Sequence, residues 1–290
     1  MPRPAHAKRN AFRVFAACAG FLLLSFTAEA APQRVVSINL CTDQMAMLVA
    51  GEGQLISVSR LATDPAISAM VQQAEGYRLN DGLAEQVFLM KPDLVLAGSY
   101  STRETVDLLK RLGIAVAEFQ PEASLDDVRH NLERLGVLLD RKQAAADVIA
   151  AMDEGLADLA EMPPGERTAA LYYANGYTSG KDTLAGDMIS RLGLVNIASE
   201  VGIDTLGRLP LERLIMAAPE VIVGGDAGYE APALAEAGFR HPAFLAAAER
   251  SDYVSLPSRY TICGGPFNVA GLALLAEELA EEGGGGGADE

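Results

Sequence analysis

The 290-residue chain has no tryptophan, only three histidines and three cysteines, and 23 lysines and arginines against 39 aspartates and glutamates. Each shortage removes a class of function. His6, His130 and His241 are the only imidazoles, and none has a partner at ligand spacing, so a site for bare zinc or manganese lacks its ligands. No Gly-x-Ser-x-Gly elbow is present and no serine or cysteine shares a motif with a histidine, so no recognisable motif for nucleophilic catalysis stands in the chain, which agrees with binding. Phosphate loops are missing too. Gly51-Glu52-Gly53 follows a helical stretch where a dinucleotide turn would follow a strand, and Gly224-Gly225-Asp226-Ala227-Gly228 has the wrong spacing. The formal charge of −16 argues against nucleic acid or an anionic membrane surface as partner and suits docking onto basic surfaces.

Half of the residues are apolar, enough for two modest domains each with its own core. The first thirty residues differ from the rest. Arg3, Lys8, Arg9 and Arg13 make a basic start, residues 14–28 are nearly all apolar, and Ala28-Glu29-Ala30 has the small-x-small pattern of a signal-peptidase site. We expect residues 1–30 to be an export signal cleaved after Ala30, because about fifteen apolar residues fall short of the roughly twenty that span a bilayer. Cys18 lies too early in the apolar run for a lipid anchor and leaves with the signal. No second stretch is long enough to span, so the mature protein is expected to be soluble and periplasmic. At the other end, residues 283–290 are glycine-rich and are expected to form a disordered tail.

Between these ends, β-rich runs alternate with helical ones. Val35-Val36-Ser37-Ile38 precedes a predicted helix over 43–50 and a strand at Leu55-Ile56-Ser57-Val58. Leu94-Val95-Leu96-Ala97 precedes an amphipathic stretch over 105–112, a stop at Gly113, and Ala115-Val116-Ala117. Ser124 opens a helix with an acidic first turn that runs to about Leu135. After it, Ala145, Val148, Ile149, Met152, Leu156 and Leu159 form one apolar stripe, a helix over 141–161 that Met162-Pro163-Pro164-Gly165 must end. A second α/β series begins at Ala169. Residues 85–98 and 212–225 align without gaps, each with a glutamate opening a helix, a proline stop and a buried strand ending in glycine. The pattern predicts an α/β fold of two Rossmann-like lobes with mostly parallel sheets: residues 31–138, a joining helix over 139–163, and residues 164–282.

Lys91-Pro92-Asp93-Leu94-Val95, the matching Ala218-Pro219-Glu220-Val221-Ile222, and Tyr177-Thr178-Ser179-Gly180-Lys181 after the first strand of the second half stand in a telling order. With them the chain resembles the helical-backbone class of periplasmic binding proteins, which serve vitamin B12, haem and iron-siderophore importers. The resemblance runs from Arg34 to near Glu278. It implies two lobes joined by one long helix, a ligand cleft facing the strand carboxyl ends, and no enzymatic activity or cofactor. It also implies a monomer that takes a small-molecule metal chelate and delivers it to an inner-membrane ABC permease dimer with its ATPase. Glu85 and Glu212 match glutamates that meet permease arginines in that class. Tyr177 and Tyr260 match aromatic corrin contacts of its vitamin B12-binding member, whereas Leu61 and Gly98 depart from that member's pattern.

The candidate cleft residues lie just after strand ends: Asn39, Cys41, Thr42, Arg60, Tyr100, Arg103, Asn175, Tyr177, Arg259 and Tyr260. Aromatic faces suit a flat macrocycle or a catechol, and arginine forks suit propionates and other anionic chelate groups. Cys41 and Cys263 remain after signal removal, and three states are open to them. They are two buried thiols, a lobe-crossing disulfide, or one sulfur as a soft axial ligand to a chelated metal. The thiols are preferred here because a bridge would staple lobes that have to open. Two rival functions also stand: a ligand sensor outside transport, and an enzyme on a similar two-lobed scaffold.

Overall fold

Continuous apolar runs form the centre of both sheets, as expected of parallel strands covered on two faces. The computed structural model describes residues 31–159, 167–225 and 234–284. The expected signal over 1–30, the Pro163-Pro164 helix stop and nearly all of the glycine tail lie outside them. In the first half the elements are β1 (Val35–Ser37), α1 (Leu40–Val49), β2 (Leu55–Ser59), α2 (Val71–Ala74), β3 (Arg78–Asn80), α3 (Ala84–Leu89), β4 (Leu94–Gly98), α4 (Arg103–Arg111), β5 (Ala115–Phe119) and α5 (Leu125–Leu138). The long α6 (Lys142–Leu159) leads to β6 (Thr168–Tyr172), β7 (Tyr177–Ser179), α7 (Leu184–Arg191), β8 (Val195–Asn196), β9 (Leu206–Arg208), α8 (Leu211–Ala217) and β10 (Val221–Gly224). The described elements end with α9 (Pro242–Ala248), β11 (Asp252–Ser255) and α10 (Phe267–Gly284).

The two sheets have the same plan. The first is ordered β3-β2-β1-β4-β5 and the second β11-β10-β6-β8, with every neighbour parallel. β1 and β6 are central, and β4 and β10 lie beside them in turn. β9, the second-half counterpart of β3 by chain position, leaves its sheet and pairs antiparallel with β7. This is an α/β fold of two lobes.

The repeat read from the sequence has a physical basis at each step. Lys91 and Ala218, the residues before the two prolines, both have left-handed backbone (φ 50° and 43°). Proline's Cδ keeps the residue before it out of the right-handed helical region, and the left-handed turn ends α3 and α8 there. The acid after each proline then closes the start of the neighbouring first strand. Asp93 accepts the N–H groups of Gln33 and Arg34 at 2.7 and 3.0 Å, and Glu220 accepts that of Thr168 at 2.9 Å.

α6 packs on α5, α1 and α10 and contributes to a core that both halves share. Ala145 and Met152 are buried in one cluster with Leu132 and Leu135 of α5, Leu184 and Met188 of α7 and Leu272 of α10. Gly155 allows α10 close, since a Cβ there would stand 2.8 Å from a Val269 methyl. One helix end differs from expectation: α5 runs on to Leu138, because Leu135 is buried and the apolar spacing continues past it. His241 caps α9, its Nδ1 accepting the Ala243 N–H at 3.2 Å. Among the described residues no helix is long and apolar enough to cross a membrane.

Candidate functional site

In an open parallel sheet the natural binding crevice lies beyond the strand carboxyl ends, where the connections on either side of the first strand diverge. Here that is the gap after β1 and β4 in one lobe and after β6 and β10 in the other. The residues after β1 are held tightly. Asn39 caps α1, its side-chain oxygen accepting the N–H groups of Cys41 and Thr42 at 3.0 and 3.4 Å. Thr42 is only 1% exposed, and its hydroxyl is engaged by Ser37 Oγ at 2.7 Å and the Asn39 carbonyl at 3.0 Å. It braces the helix start from inside and does not face the crevice.

Next to Thr42, Asp43 is fully buried, accepting the Ser59 N–H at 3.1 Å and the Ser59 hydroxyl. Burial pushes its carboxyl up to about 6, although the Ser37 and Ser59 bonds pull the other way. The pair ties α1 to the end of β2, and so sets where Arg60 begins. Arg60 is exposed and donates to Asp81 at 2.8 Å, which raises its own pKa and lowers that of Asp81. Tyr100, after β4, is 87% exposed, and Arg103 stands exposed at the start of α4.

In the second lobe Asn175 takes a left-handed conformation (φ 59°), which asparagine tolerates better than most residues. The turn it makes brings Tyr177 back so that its carbonyl accepts the Tyr173 N–H at 2.8 Å. Tyr177 is register partner to Arg208 on β9, and the guanidinium lies 5.1 Å from the ring centroid. Arg259 is 4.8 Å from the ring of Tyr260 in the same manner. Tyr260 itself leans on the second lobe's core beside Leu256 and α10. Tyr173, half-buried just after β6, has its hydroxyl pushed up to about 12 by desolvation.

The sequence reading missed Arg208, Leu206 and Ile262. The last two are exposed apolar side chains on β9 and in the loop before α10. Three-residue β9 is too short to show a period, and Ile262 has no local pattern around it.

Cys41 and Cys263 are joined in a disulfide, with Cα atoms 5.0 Å apart. This corrects the preference for free thiols, and it removes the axial-ligand role, since metals are held by thiolate and not by disulfide sulfur. The reason lies in the loop before α10, which already rests on the first lobe. A Cβ on Gly264 would stand 2.4 Å from a Val128 methyl and 3.0 Å from Cγ of the buried Glu122. Asn131 donates to the Glu122 carboxylate at 2.7 Å, and burial raises that carboxylate's pKa. Asn268, itself buried, locks the loop by donating to the carbonyls of Tyr260 and Cys263 at 2.7 and 2.9 Å and accepting the Gly265 N–H at 2.7 Å. The structure thus brings the residues after β1 together with the Arg259–Cys263 segment. Glu85 and Glu212 lie elsewhere, exposed in the first turns of α3 and α8.

A family model described as periplasmic binding protein matches residues 35–260. An uncharacterized ABC transporter substrate-binding lipoprotein of Bacillus subtilis (strain 168) is 24% identical over 213 residues, covering 69% of this chain and 66% of its own, just under two thirds. A vitamin B12-binding protein of Pectobacterium carotovorum subsp. carotovorum (strain PC1) is 25% identical over 214 residues, 71% of this chain and 76% of its own. Among solved structures, the periplasmic heme-binding protein RhuT from Roseiflexus sp. RS-1 in apo form superposes with a TM-score of 0.71 at 22% identity, covering 86% of this chain and 98% of its own.

Proposed function

Since the chain belongs to the periplasmic binding protein family, we propose that it is the exported substrate-binding component of an ABC importer for a metal chelate. Its lobes are residues 31–138 and 164–282, and the segment 139–163, within which α6 (Lys142–Leu159) is described, joins them. The ligand is cobalamin-like, haem or an iron siderophore, held by burial against aromatic and apolar faces with a few charged anchors; no bond is made or broken. The observation that carries this reading is the Cys41–Cys263 bridge, which joins the helix start after β1 to the segment after β11, together with the two arginine–tyrosine pairs of the second lobe, Arg208 with Tyr177 and Arg259 with Tyr260; we assign Arg60, Tyr100 and Arg103, which follow strands of the first lobe, to the same crevice. Arginine stacked on an aromatic presents a flat face with a charge at its edge, which suits a planar macrocycle bearing carboxylates. Glu85 and Glu212 meet basic groups of a permease dimer, which couples to its ATPase.

The test is a panel of cyanocobalamin, haemin and ferric hydroxamate, each titrated into the purified mature protein while thermal unfolding is followed. A cognate ligand at a hundred times its Kd adds about 2.7 kcal/mol of stability by mass action. If no member of the panel raises the melting temperature and the protein instead turns over a substrate, the binding reading fails.

A further inference from the structure

The 127-residue repeat carries more than its two glutamates. On α3, Phe88 and Leu89 stand three and four residues after Glu85; on α8, Ile215 and Met216 stand three and four after Glu212. That spacing puts all three side chains of each set on one helix face. All four apolar residues are exposed, Leu89 at 75% and Met216 at 77%. The fold does not demand this. Val87 and Leu214, also matched in the repeat, are fully buried and supply each helix's contact with its core. Scattered exposed leucines are ordinary, but the same carboxylate-plus-apolar face at the same register on two lobes is not scatter.

We propose that Glu85 with Phe88 and Leu89, and Glu212 with Ile215 and Met216, are two copies of one docking face. They seat on two identical subunits of a membrane partner, each offering a basic group beside an apolar surface. The inference rests on the permease-docking reading and extends it. In a strongly acidic protein the carboxylates steer and orient, while the apolar pairs supply contact that salt does not screen. Two copies of the face match a twofold partner.

The experiment uses the full mature protein and inner-membrane vesicles from its host, with cosedimentation at low salt and at about 0.5 M salt, where exposed charges are largely screened. Three proteins are compared: wild type, L89S/M216S and E85K/E212K. A photo-crosslinking residue at position 89 or 216 identifies the neighbour by mass spectrometry. We expect L89S/M216S to melt like wild type, to bind at least fivefold more weakly at low salt and to lose the salt-resistant fraction. Crosslinks from both positions should fall on the same polytopic membrane polypeptide. Loss of binding in E85K/E212K alone overturns the apolar half and leaves carboxylate docking standing. Unchanged binding in both variants overturns docking altogether. Adducts to different proteins at the two positions, or to a second copy of this chain, overturn the twofold partner.

Discussion

Asp43 shows how a single buried group gives this protein a pH dependence. Its ordinary value is 3.8 and its folded value about 6, so between those values the native state holds more protons than the unfolded chain. Its contribution is therefore fully present below about pH 4 and is lost as pH rises from there to about 6, by roughly 2–3 kcal/mol. Asp43→Asn keeps an acceptor for the Ser59 N–H and a donor for the Ser59 hydroxyl but carries no charge to desolvate. Denaturant unfolding from pH 4.5 to 7.5 should show the variant gaining on wild type as pH rises; a constant difference would mean Asp43 is not the titrating group. The residues proposed for recognition act on the same scale. Arg208→Ala leaves the Tyr177 ring in place but removes its cationic partner, so it should weaken binding of an anionic chelate roughly tenfold, about 1.4 kcal/mol, and affect a neutral one far less. Titration calorimetry with haemin and cyanocobalamin separates the two.

Among the elements, the loop between β11 and α10 is the one that carries the second lobe's half of the proposed site across to the first lobe. Its bonds converge on Asn268, which is buried and spends both ends of its amide inside the loop. Asn268→Ala leaves two carbonyls and one N–H without those partners, a loss of about 2–4 kcal/mol. Gly264→Ala acts from the other side by forcing the loop off Val128, at about 1–3 kcal/mol. Chemical denaturation measures both, and amide exchange at 259–265 should rise in each variant before the rest of α10 is affected. Protection unchanged in that segment would show that the loop is held by the disulfide alone. The helix-stop repeat is more legible. Gly113 and Gly193 end α4 and α7 with φ of 81° and 76°, and each motif returns the chain into a strand at once.

At the scale of the molecule, the Cys41–Cys263 bridge joins residues 222 apart and spans both lobes. Closing so long a loop removes much of the unfolded chain's freedom, so replacing both cysteines by serine should cost about 2–5 kcal/mol. It should also broaden the lobe–lobe distance distribution measured by small-angle scattering. Thiol titration of the denatured, unreduced mature protein should find no free sulfhydryl; two would restore the thiol reading. With the bridge intact and α6 packed into a shared core, the lobes have little room to swing apart.

The α/β class, the two halves and the matched Glu85 and Glu212 were determined by the sequence alone, because each is written in local order. Apolar runs, proline stops and glycine turns act within a few residues of themselves, and a repeat makes them visible twice. Short β3, β8 and β9 escaped, since two or three residues show no period and their pairing is settled by neighbouring strands. The inward turn of Thr42, the stacking of Arg208 on Tyr177 and the union of Cys41 with Cys263 were decided only by tertiary structure. Which sulfur meets which depends on where a distant loop comes to rest, and that is set by packing against Val128 and Glu122.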